Sequence, residues 1–296
     1  MTELLVGTIG QGLWRSVDGA GWERAPGVPD DAAVYSLAAD LAGGAGCVYR
    51  RVAGRWKRLP LPEPALQVWA VAADPARPAT LYAGCRPLAL LRSDDGGARW
   101  SALPLALPPD TPHPHTPRVT SLLVERDAVW SGVEVGGVFA SRDGGASWAA
   151  ANEGLPSLDI HALGRNGGAL LAATPRGIAR FDDRWRETDF GGPWRYCRAL
   201  AAIAGQPGEW LGGVGDGPPG TRGVVMVSED DGRSWRSPLF PGTATSSVWS
   251  VAVSVEDPDL ALAGAIGGEV FLSEDAGRSW RRLDQTFTEI RAVVIR

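Results

Sequence analysis

One short motif recurs along this chain and constrains its fold more than any other feature. Four segments match Ser-x-Asp-x-Gly-x-x-Trp without a gap, and they span 93–100, 141–148, 228–235 and 273–280. We call this motif the box. A fifth copy at 16–22 is one residue short, and two further segments keep the Trp but lose the Ser, at 52–56 and 181–185.

The tryptophans that close the seven copies indicate the size of the repeat. They are Trp22, Trp56, Trp100, Trp148, Trp185, Trp235 and Trp280. Their mean spacing of about 43 residues is the length of one four-stranded propeller blade. Seven such blades use the whole chain, so the sequence predicts one domain, residues 1–296.

A second periodicity supports this prediction. A short apolar segment precedes each box, and its third residue is always Ser or Ala. The seven segments begin at Val34, Val68, Val119, Ile160, Cys197, Val248 and Ile290. Small third residues suit a crowded innermost strand beside the central channel of a propeller.

The two ends of the chain do not follow the order of the other repeats. The chain opens on a second-strand segment, 4–7, and closes on an innermost-strand segment, 290–295. We therefore predict an all-β fold, a single seven-bladed propeller of four-stranded antiparallel blades. The C-terminal strand is expected to pair into the N-terminal blade, which removes the open edges of the ring.

Composition limits the functional classes. The net charge of −5 and the pI of about 5.3 argue against general binding to nucleic acid or acidic membranes. We find neither a signal-peptide pattern nor an apolar run of membrane-spanning length. Cys47, Cys85 and Cys197 form neither a disulfide framework nor a zinc pattern, so we expect buried free thiols and a cytoplasmic location. We also expect no cofactor and a monomer.

The box resembles the Asp-box, or BNR, repeat of sialidases, xyloglucan-cleaving glycosidases, sortilin-type receptors and the photosystem II assembly factor. The resemblance covers nearly the whole chain and implies a fold rather than an activity. Turn chemistry explains the motif, because its Asp accepts backbone N–H bonds and its Gly supplies an unusual φ. We therefore expect a structural role for the box aspartates, which are Asp95, Asp143, Asp230 and Asp275.

The second residue of each innermost segment should point to one mouth of the channel. These residues are Tyr35, Trp69, Thr120, His161, Arg198, Trp249 and Arg291. They do not repeat one residue type, as purely structural positions would. The loops on the same face are expected to add Gln11, Arg86, Glu134, Arg176, Asp216 and Arg222.

These residues predict a ligand site that suits an anionic group, because guanidinium groups bind carboxylate and phosphate and Trp stacks on rings. The predicted ligand-binding residues are Trp69, Arg86, His161, Arg176, Arg198, Trp249 and Arg291. The expected partner is an anionic small molecule or a protein. The alternative is that the arginines pair with local carboxylates and cover aromatic rings.

Two enzymatic hypotheses remain beside a cytoplasmic binding scaffold. The first is a sialidase-like or glycosidase-like hydrolase or lyase, for which Glu134, Tyr196 and Asp216 are the candidate catalytic residues. The resemblance gives it limited support, since the Arg-Ile-Pro motif and the six blades of sialidases are missing. The xyloglucan-cleaving relatives use two propellers, and this chain has one.

The second is a metal-dependent enzyme. The Pro-rich insertion 103–118 carries His113 and His115, and with His161 these are all the histidines of the chain. A His-x-His pair plus a third His is a plausible metal set. The alternative is a solvated loop and an unrelated channel residue.

Overall fold

The predicted seven-bladed ring is confirmed by the computed structural model, which describes residues 2–108 and 115–296. Strands form seven antiparallel blades around a channel, and the described residues contain no helix. None of them therefore lies in a helix long and apolar enough to cross a membrane.

The strands follow one another in the order expected from the repeat. In chain order, the strands of blades 1 to 4 are β1 Leu4–Thr8, β2 Leu13–Ser16, β3 Glu23–Arg24, β4 Val34–Ala38, β5 Leu41–Gly44, β6 Cys47–Val52, β7 Arg55–Pro60, β8 Gln67–Ala73, β9 Leu81–Arg86, β10 Ala89–Ser93, β11 Ser101–Ala102, β12 Arg118–Val124, β13 Val129–Glu134, β14 Gly137–Ser141 and β15 Ala149–Ala150. The remaining strands are β16 Ala162–Asn166, β17 Ala169–Thr174, β18 Gly177–Phe181, β19 Trp185–Glu187, β20 Asp189–Phe190, β21 Tyr196–Ala202, β22 Trp210–Gly215, β23 Gly223–Ser228, β24 Ser234–Trp235, β25 Val248–Val253, β26 Ala261–Ala265, β27 Glu269–Ser273, β28 Arg281–Thr286 and β29 Ile290–Ile295.

The last strand closes the ring as predicted. Blade 1 has the order β29-β1-β2-β3, and Leu4 lies opposite Ile295 in antiparallel register. Just beyond the strands, Glu3 and Arg296 exchange two backbone hydrogen bonds of 2.8 and 2.9 Å. Both chain ends are therefore fixed in the same sheet.

Two blades depart from the regular pattern. In blade 5 the innermost strand begins two residues later than predicted, and the Ile160 N–H lies 3.4 Å from the Val133 carbonyl of blade 4. In blade 6 the outermost strand β24 is joined to β23 by a single bridge between Val227 and Arg236 and also pairs with β20 in parallel.

The box forms a turn between the third and fourth strands, and the hydrogen bonds of blade 4 illustrate it. The Ser141 hydroxyl donates to Asp143, the Gly145 N–H donates to Ser141, and the Ser147 N–H donates to Asp143, at 2.7–2.8 Å. Gly145 has φ of +99°, and a Cβ there would lie 2.5 Å from Leu103. The same bonds recur in blades 3, 6 and 7.

The core lies between the blades. Each apolar cluster draws its members from neighbouring blades, and Trp56, Trp185, Trp235 and Trp280 are buried in four different clusters. The three cysteines are free and buried, as expected, and burial raises the pKa of the Cys85 and Cys197 thiols to about 12.

Hydroxyl groups of the innermost strands join neighbouring blades at the channel. The Ser36 hydroxyl donates to the Val68 carbonyl, while Ser121 and Ser250 accept the N–H groups of Leu163 and Val293. The small third residues therefore do more than relieve crowding, since three of them hold blades together.

Candidate functional site

A bulge in the innermost strands points the predicted ring of side chains into the channel. In six blades the pairing of the first two strands skips the second residue, as when Val34 pairs with Gly44 and Ser36 with Gly43. A β-bulge leaves its extra residue out of the ladder and re-aims the side chain. The skipped residues are Tyr35, Trp69, Thr120, Arg198, Trp249 and Arg291. In blade 5 His161 lies just before β16, and its N–H donates to Ala173.

All seven second residues line one cavity of about 170 Å³ at the channel mouth. A cavity of about 150 Å³ holds one ring of the size of benzene, so this space suits a single small group. Its wall also includes Leu37, Leu200 and Val251, so the cavity combines polar, aromatic and aliphatic side chains.

Aromatic rings and guanidinium groups alternate around the rim. Tyr35 stacks on Trp69 with ring centroids 5.1 Å apart. The Arg291 guanidinium lies 5.0 Å from the Trp69 ring and 4.7 Å from the Trp249 ring, and Arg198 lies 4.0 Å from Trp249. Such stacking holds flat groups in fixed positions, which a preorganised site requires.

Arg198 is held by an ion pair that crosses the channel wall. Its Nη1 lies 3.3 Å from Oε1 of Glu134, which comes from the end of β13, two blades away. Arg118 also binds Glu134, with Nη2 at 2.8 Å from Oε1, and its guanidinium covers Trp69 at 3.8 Å. Both Arg198 and Glu134 are buried, with side chains 4% and 7% exposed.

Arg291 is paired as well, with Glu289 at the rim. The sequence suggested that Arg198 and Arg291 are free to share an anion, and this expectation needs correction. Each arginine contacts a carboxylate of the chain itself, which was the alternative interpretation. Burial lowers the pKa of Arg291, and the nearby Glu289 opposes this change.

His161 is buried beneath the rim. Its Nδ1 lies 2.6 Å from the Cys197 carbonyl, which can only accept, so Nδ1 carries the proton. Its Nε2 lies 3.5 Å from Oδ1 of Asp159, and the Tyr196 ring lies 5.0 Å away. Burial and the charge of Arg198 lower the pKa of His161, which favours the neutral imidazole.

The three candidate catalytic residues do not form one reactive group. Glu134 is occupied by two guanidinium groups, and burial raises the pKa of Tyr196, which keeps its hydroxyl protonated. Asp216 is exposed and accepts bonds from Thr221 and Arg222 within its own loop. These contacts offer the hydrolase or lyase hypothesis no supporting geometry.

The loop arginines lie outside the cavity wall. Arg86 ends β9, opposite Gln67, and Arg176 and Arg222 are exposed on their loops. Gln11 accepts the Thr288 N–H at 3.1 Å and so connects blade 1 to the closing loop. The predicted convergence of five arginines therefore reduces to Arg198 and Arg291 at the cavity.

The three-histidine metal set extends beyond the described residues, because His113 lies in the segment 109–114. Within the described ranges, Glu134, Asp159 and His161 bring one ligand atom each within 4.8 Å of one another. The ion pairs of Glu134 with Arg118 and Arg198 place two positive charges beside this group, which disfavours a cation there.

Sequence reasoning missed a second ring that supports the first. The residue two positions before each ring residue is polar or aromatic in six blades, and Gln67, Arg118, Asp159, Tyr196, Ser247 and Glu289 occupy it. Gln67 accepts the Trp69 indole N–H at 3.2 Å, Glu289 pairs with Arg291, and Asp159 lies 3.5 Å from Nε2 of His161. The spacing of two residues is the signal that predicts these partners.

Comparison with known proteins supports the fold. No protein-family model matches the chain, and no curated protein matches it. Among solved structures, YCF48 from Cyanidioschyzon merolae is 17% identical with a TM-score of 0.64, covering 90% of this chain and 91% of that one. A structure of YCF48 bound to D1 peptide is 16% identical with a TM-score of 0.56, covering 83% and 80%. The WD40 repeats of RRP9 are 15% identical with a TM-score of 0.65, covering 88% and 83%. The chain is thus similar in fold to YCF48 and to a propeller of WD40 repeats.

Proposed function

We propose that this chain is a binding scaffold that holds a segment of a partner protein against its channel mouth. The site is the cavity between Trp69, Arg198, Trp249 and Arg291, and its size suits one side chain or terminal group of the partner. We further propose membership of the Asp-box type of propeller and a cytoplasmic location, for which the box turns and the three buried thiols are the support.

The observation that carries this proposal is the state of Arg198. A guanidinium has five N–H donors, and this one is almost fully buried at the cavity wall, with Glu134 at 3.3 Å and the Trp249 ring at 4.0 Å. The ion pair and the stacked ring hold this guanidinium in a fixed position at the cavity wall. A fixed guanidinium at a cavity is preorganised to bind the acceptor oxygens of a ligand group.

The proposed ligand group is anionic, a carboxylate for example, and Glu289 gives the reason. Glu289 is the more exposed partner of its ion pair with Arg291, with 40% of its side chain accessible against 17%. An incoming carboxylate has the same charge and geometry, so it can replace Glu289 on Arg291 while Arg198 binds its second oxygen. The propeller YCF48, solved with a D1 peptide, is a precedent for peptide binding on this fold.

The test is selection of peptides from a random dodecapeptide library displayed on phage, followed by titration of the selected peptides. We expect enriched sequences that bind the parent protein and lose at least about tenfold in affinity to Arg198→Met and to Trp249→Ala. Arg142→Ala is the matched control, because Arg142 is exposed on the box turn of blade 4 and does not line the cavity. Equal binding to all variants, or no enrichment, overturns the proposal.

Glu289→Gln separates the anionic ligand from a neutral one. If a carboxylate displaces Glu289, removal of the competing charge strengthens binding of the selected peptides severalfold. If the ligand is neutral, the substitution leaves affinity unchanged while Arg198→Met still weakens it.

A further inference from the structure

The third and fourth strands of blade 2 differ in charge from the same hairpin of every other blade. Five basic residues lie between positions 50 and 58, and no acidic residue occurs between 41 and 62. The chain has a single lysine, and it is one of the five. The basic residues are Arg50, Arg51, Arg55, Lys57 and Arg58, and we call the segment 47–60 the basic hairpin.

The other six blades carry carboxylates at this position. Their turns between the third and fourth strands contain Asp18, Asp95, Asp143, Asp182, Asp230 and Asp275. Several also balance charge locally, since Arg92 binds Asp94, Arg236 binds Glu229 and Arg281 approaches Glu274. Blade 2 replaces an acidic, internally paired turn with an exclusively basic one.

Three of the five basic residues, Arg50, Arg55 and Lys57, lie on the same face of the hairpin. Arg50 lies directly opposite Lys57 across the strand pair, and Val52 lies opposite Arg55. Like charges directly opposite one another destabilise a sheet. Arg51 binds Glu3, but within the described residues no carboxylate lies within 4.0 Å of Arg50, Arg55, Lys57 or Arg58.

Protection of a sheet edge is the ordinary reason for such charges, and it explains little here. Proteins place Lys and Pro on long edge strands to prevent pairing with another chain. The outer edge of β7 is already covered in part, since the Trp56 N–H donates to the Pro26 carbonyl of blade 1 and Pro60 has no N–H to offer. Three basic side chains on one face, none with a carboxylate partner among the described residues, exceed what this edge needs.

We propose that the basic hairpin is a docking surface for a short acidic segment of a partner protein. Arginine-rich surfaces bind carboxylates in bidentate fashion, and all but one of the five basic residues are Arg. The rest of the chain is more acidic than the net charge of −5, since this hairpin contributes only positive charge. A long polyanion would be repelled where it leaves the hairpin, so the surface fits a segment about as long as β7. This site is independent of the channel mouth.

The test uses fluorescein-labelled oligoglutamate peptides of two to ten residues and measures fluorescence anisotropy. We expect binding that weakens steeply as ionic strength rises from about 0.02 to 0.2 M, because exposed charges are screened. Affinity should rise with length and level off near about six residues, which span about 20 Å when extended.

Arg55→Glu combined with Lys57→Glu is expected to weaken binding at least about tenfold. The matched control is Arg126→Glu combined with Arg142→Glu, which makes the same change in net charge at exposed arginines of blade 4. The control should stay within about twofold of the parent, as its sites lie outside the hairpin. Melting curves verify folding, and Arg55→Gln combined with Lys57→Gln replaces the first variant if that variant unfolds.

Three results overturn the proposal. The first is absence of binding at low ionic strength, and the second is equal weakening by the patch and control variants. The third is an affinity that keeps rising with peptide length, or a tighter complex with an oligothymidylate of equal charge, since either points to a general polyanion surface.

Discussion

The box turns and the channel mouth come from the same repeat, but the box turns are nearly alike from blade to blade and the mouth residues are not. In the box turns, blades 3, 4, 6 and 7 repeat the same serine, aspartate and glycine hydrogen bonds. At the mouth, seven equivalent positions carry five different residue types, namely Arg, Trp, Tyr, Thr and His. A position that repeats serves the fold of every blade, and a position that does not repeat is available for recognition.

Blade 2 is the exception that makes the comparison useful. Its third and fourth strands form the hairpin that carries the box in other blades, but this hairpin is basic and has no acidic residue. The box of blade 5 has also lost its Ser, yet it keeps Asp182 and Asp183, which pair with Arg186. Loss of the motif alone therefore does not explain the charge of blade 2.

Deletion of residues 290–296 should have the largest effect on stability, since the box turns and the mouth both depend on closure of the ring. It removes the innermost strand of blade 1 and leaves β1 without a partner on that side. We expect a fall in melting temperature of more than about 10 °C, or no folded protein, as measured by circular dichroism. A truncated protein that melts within a degree or two of the parent contradicts the closure.

Arg198→Met tests whether mouth residues are free of structural duty. A solvated side chain at the mouth would contribute little to stability, but the buried ion pair with Glu134 argues otherwise. We expect a loss of about 1–3 kcal/mol in the free energy of unfolding, because Glu134 loses one of its two partners while Arg118 remains. Urea denaturation measures the loss, and Arg142→Met serves as the exposed control. An unchanged midpoint means that the pair contributes nothing net.

Asp275→Ala tests the opposite side of the comparison. Asp275 accepts bonds from the Ser279 N–H and hydroxyl and from Ser273, at 2.5–2.8 Å. We expect a loss of about 1–2 kcal/mol in the free energy of unfolding and unchanged binding of peptides selected on the mouth. Loss of peptide binding at unchanged stability would contradict a purely structural role for the box aspartates.

Acidification should lower the stability that the box aspartates contribute to the fold. Hydrogen bonds from Ser147 and Ser141 lower the pKa of Asp143 to about 2, and similar bonds lower the pKa of Asp275 despite burial. Because these pKa values lie below the unfolded value of about 3.9, the unfolded chain binds more protons. The resulting stability is present above about pH 4 and is lost as pH falls toward 2. Urea midpoints measured over this interval should fall more steeply for the parent than for Asp143→Asn.

Lys57→Glu should have the smallest effect on stability, and in the opposite direction. It replaces a like-charge neighbour of Arg50 with an opposite charge. We expect a gain of about 0.2–0.5 kcal/mol in the free energy of unfolding, seen as a slightly higher urea midpoint at low salt and lost at high salt. A destabilised variant would mean that Lys57 has a structural partner.

Much of the fold follows from sequence because the repeat states its own period. The spacing of the box tryptophans gave seven blades, and the unmatched segments at 4–7 and 290–295 gave the closure. The seven second residues were also found from sequence, since symmetry alone brings equivalent positions to one mouth.

The contacts at the mouth could not be predicted in the same way. Glu134 lies on blade 4 and Arg198 on blade 6, so their ion pair depends on the width of the channel and on side-chain reach. The innermost strand of blade 5 begins at Ala162, two residues later than the repeat predicts. The period of the repeat in the sequence predicts neither feature.

The bulges in the innermost strands give the mouth a capacity for change. In six blades the ring residue is left out of the paired register, so its replacement leaves the backbone ladder of the blade in place. Variation at these positions is therefore uncoupled from the ladder that holds each blade together. The ring supplies a set of neighbouring, separately exchangeable positions on a constant frame, from which new specificities can be selected in the laboratory by randomising the mouth alone.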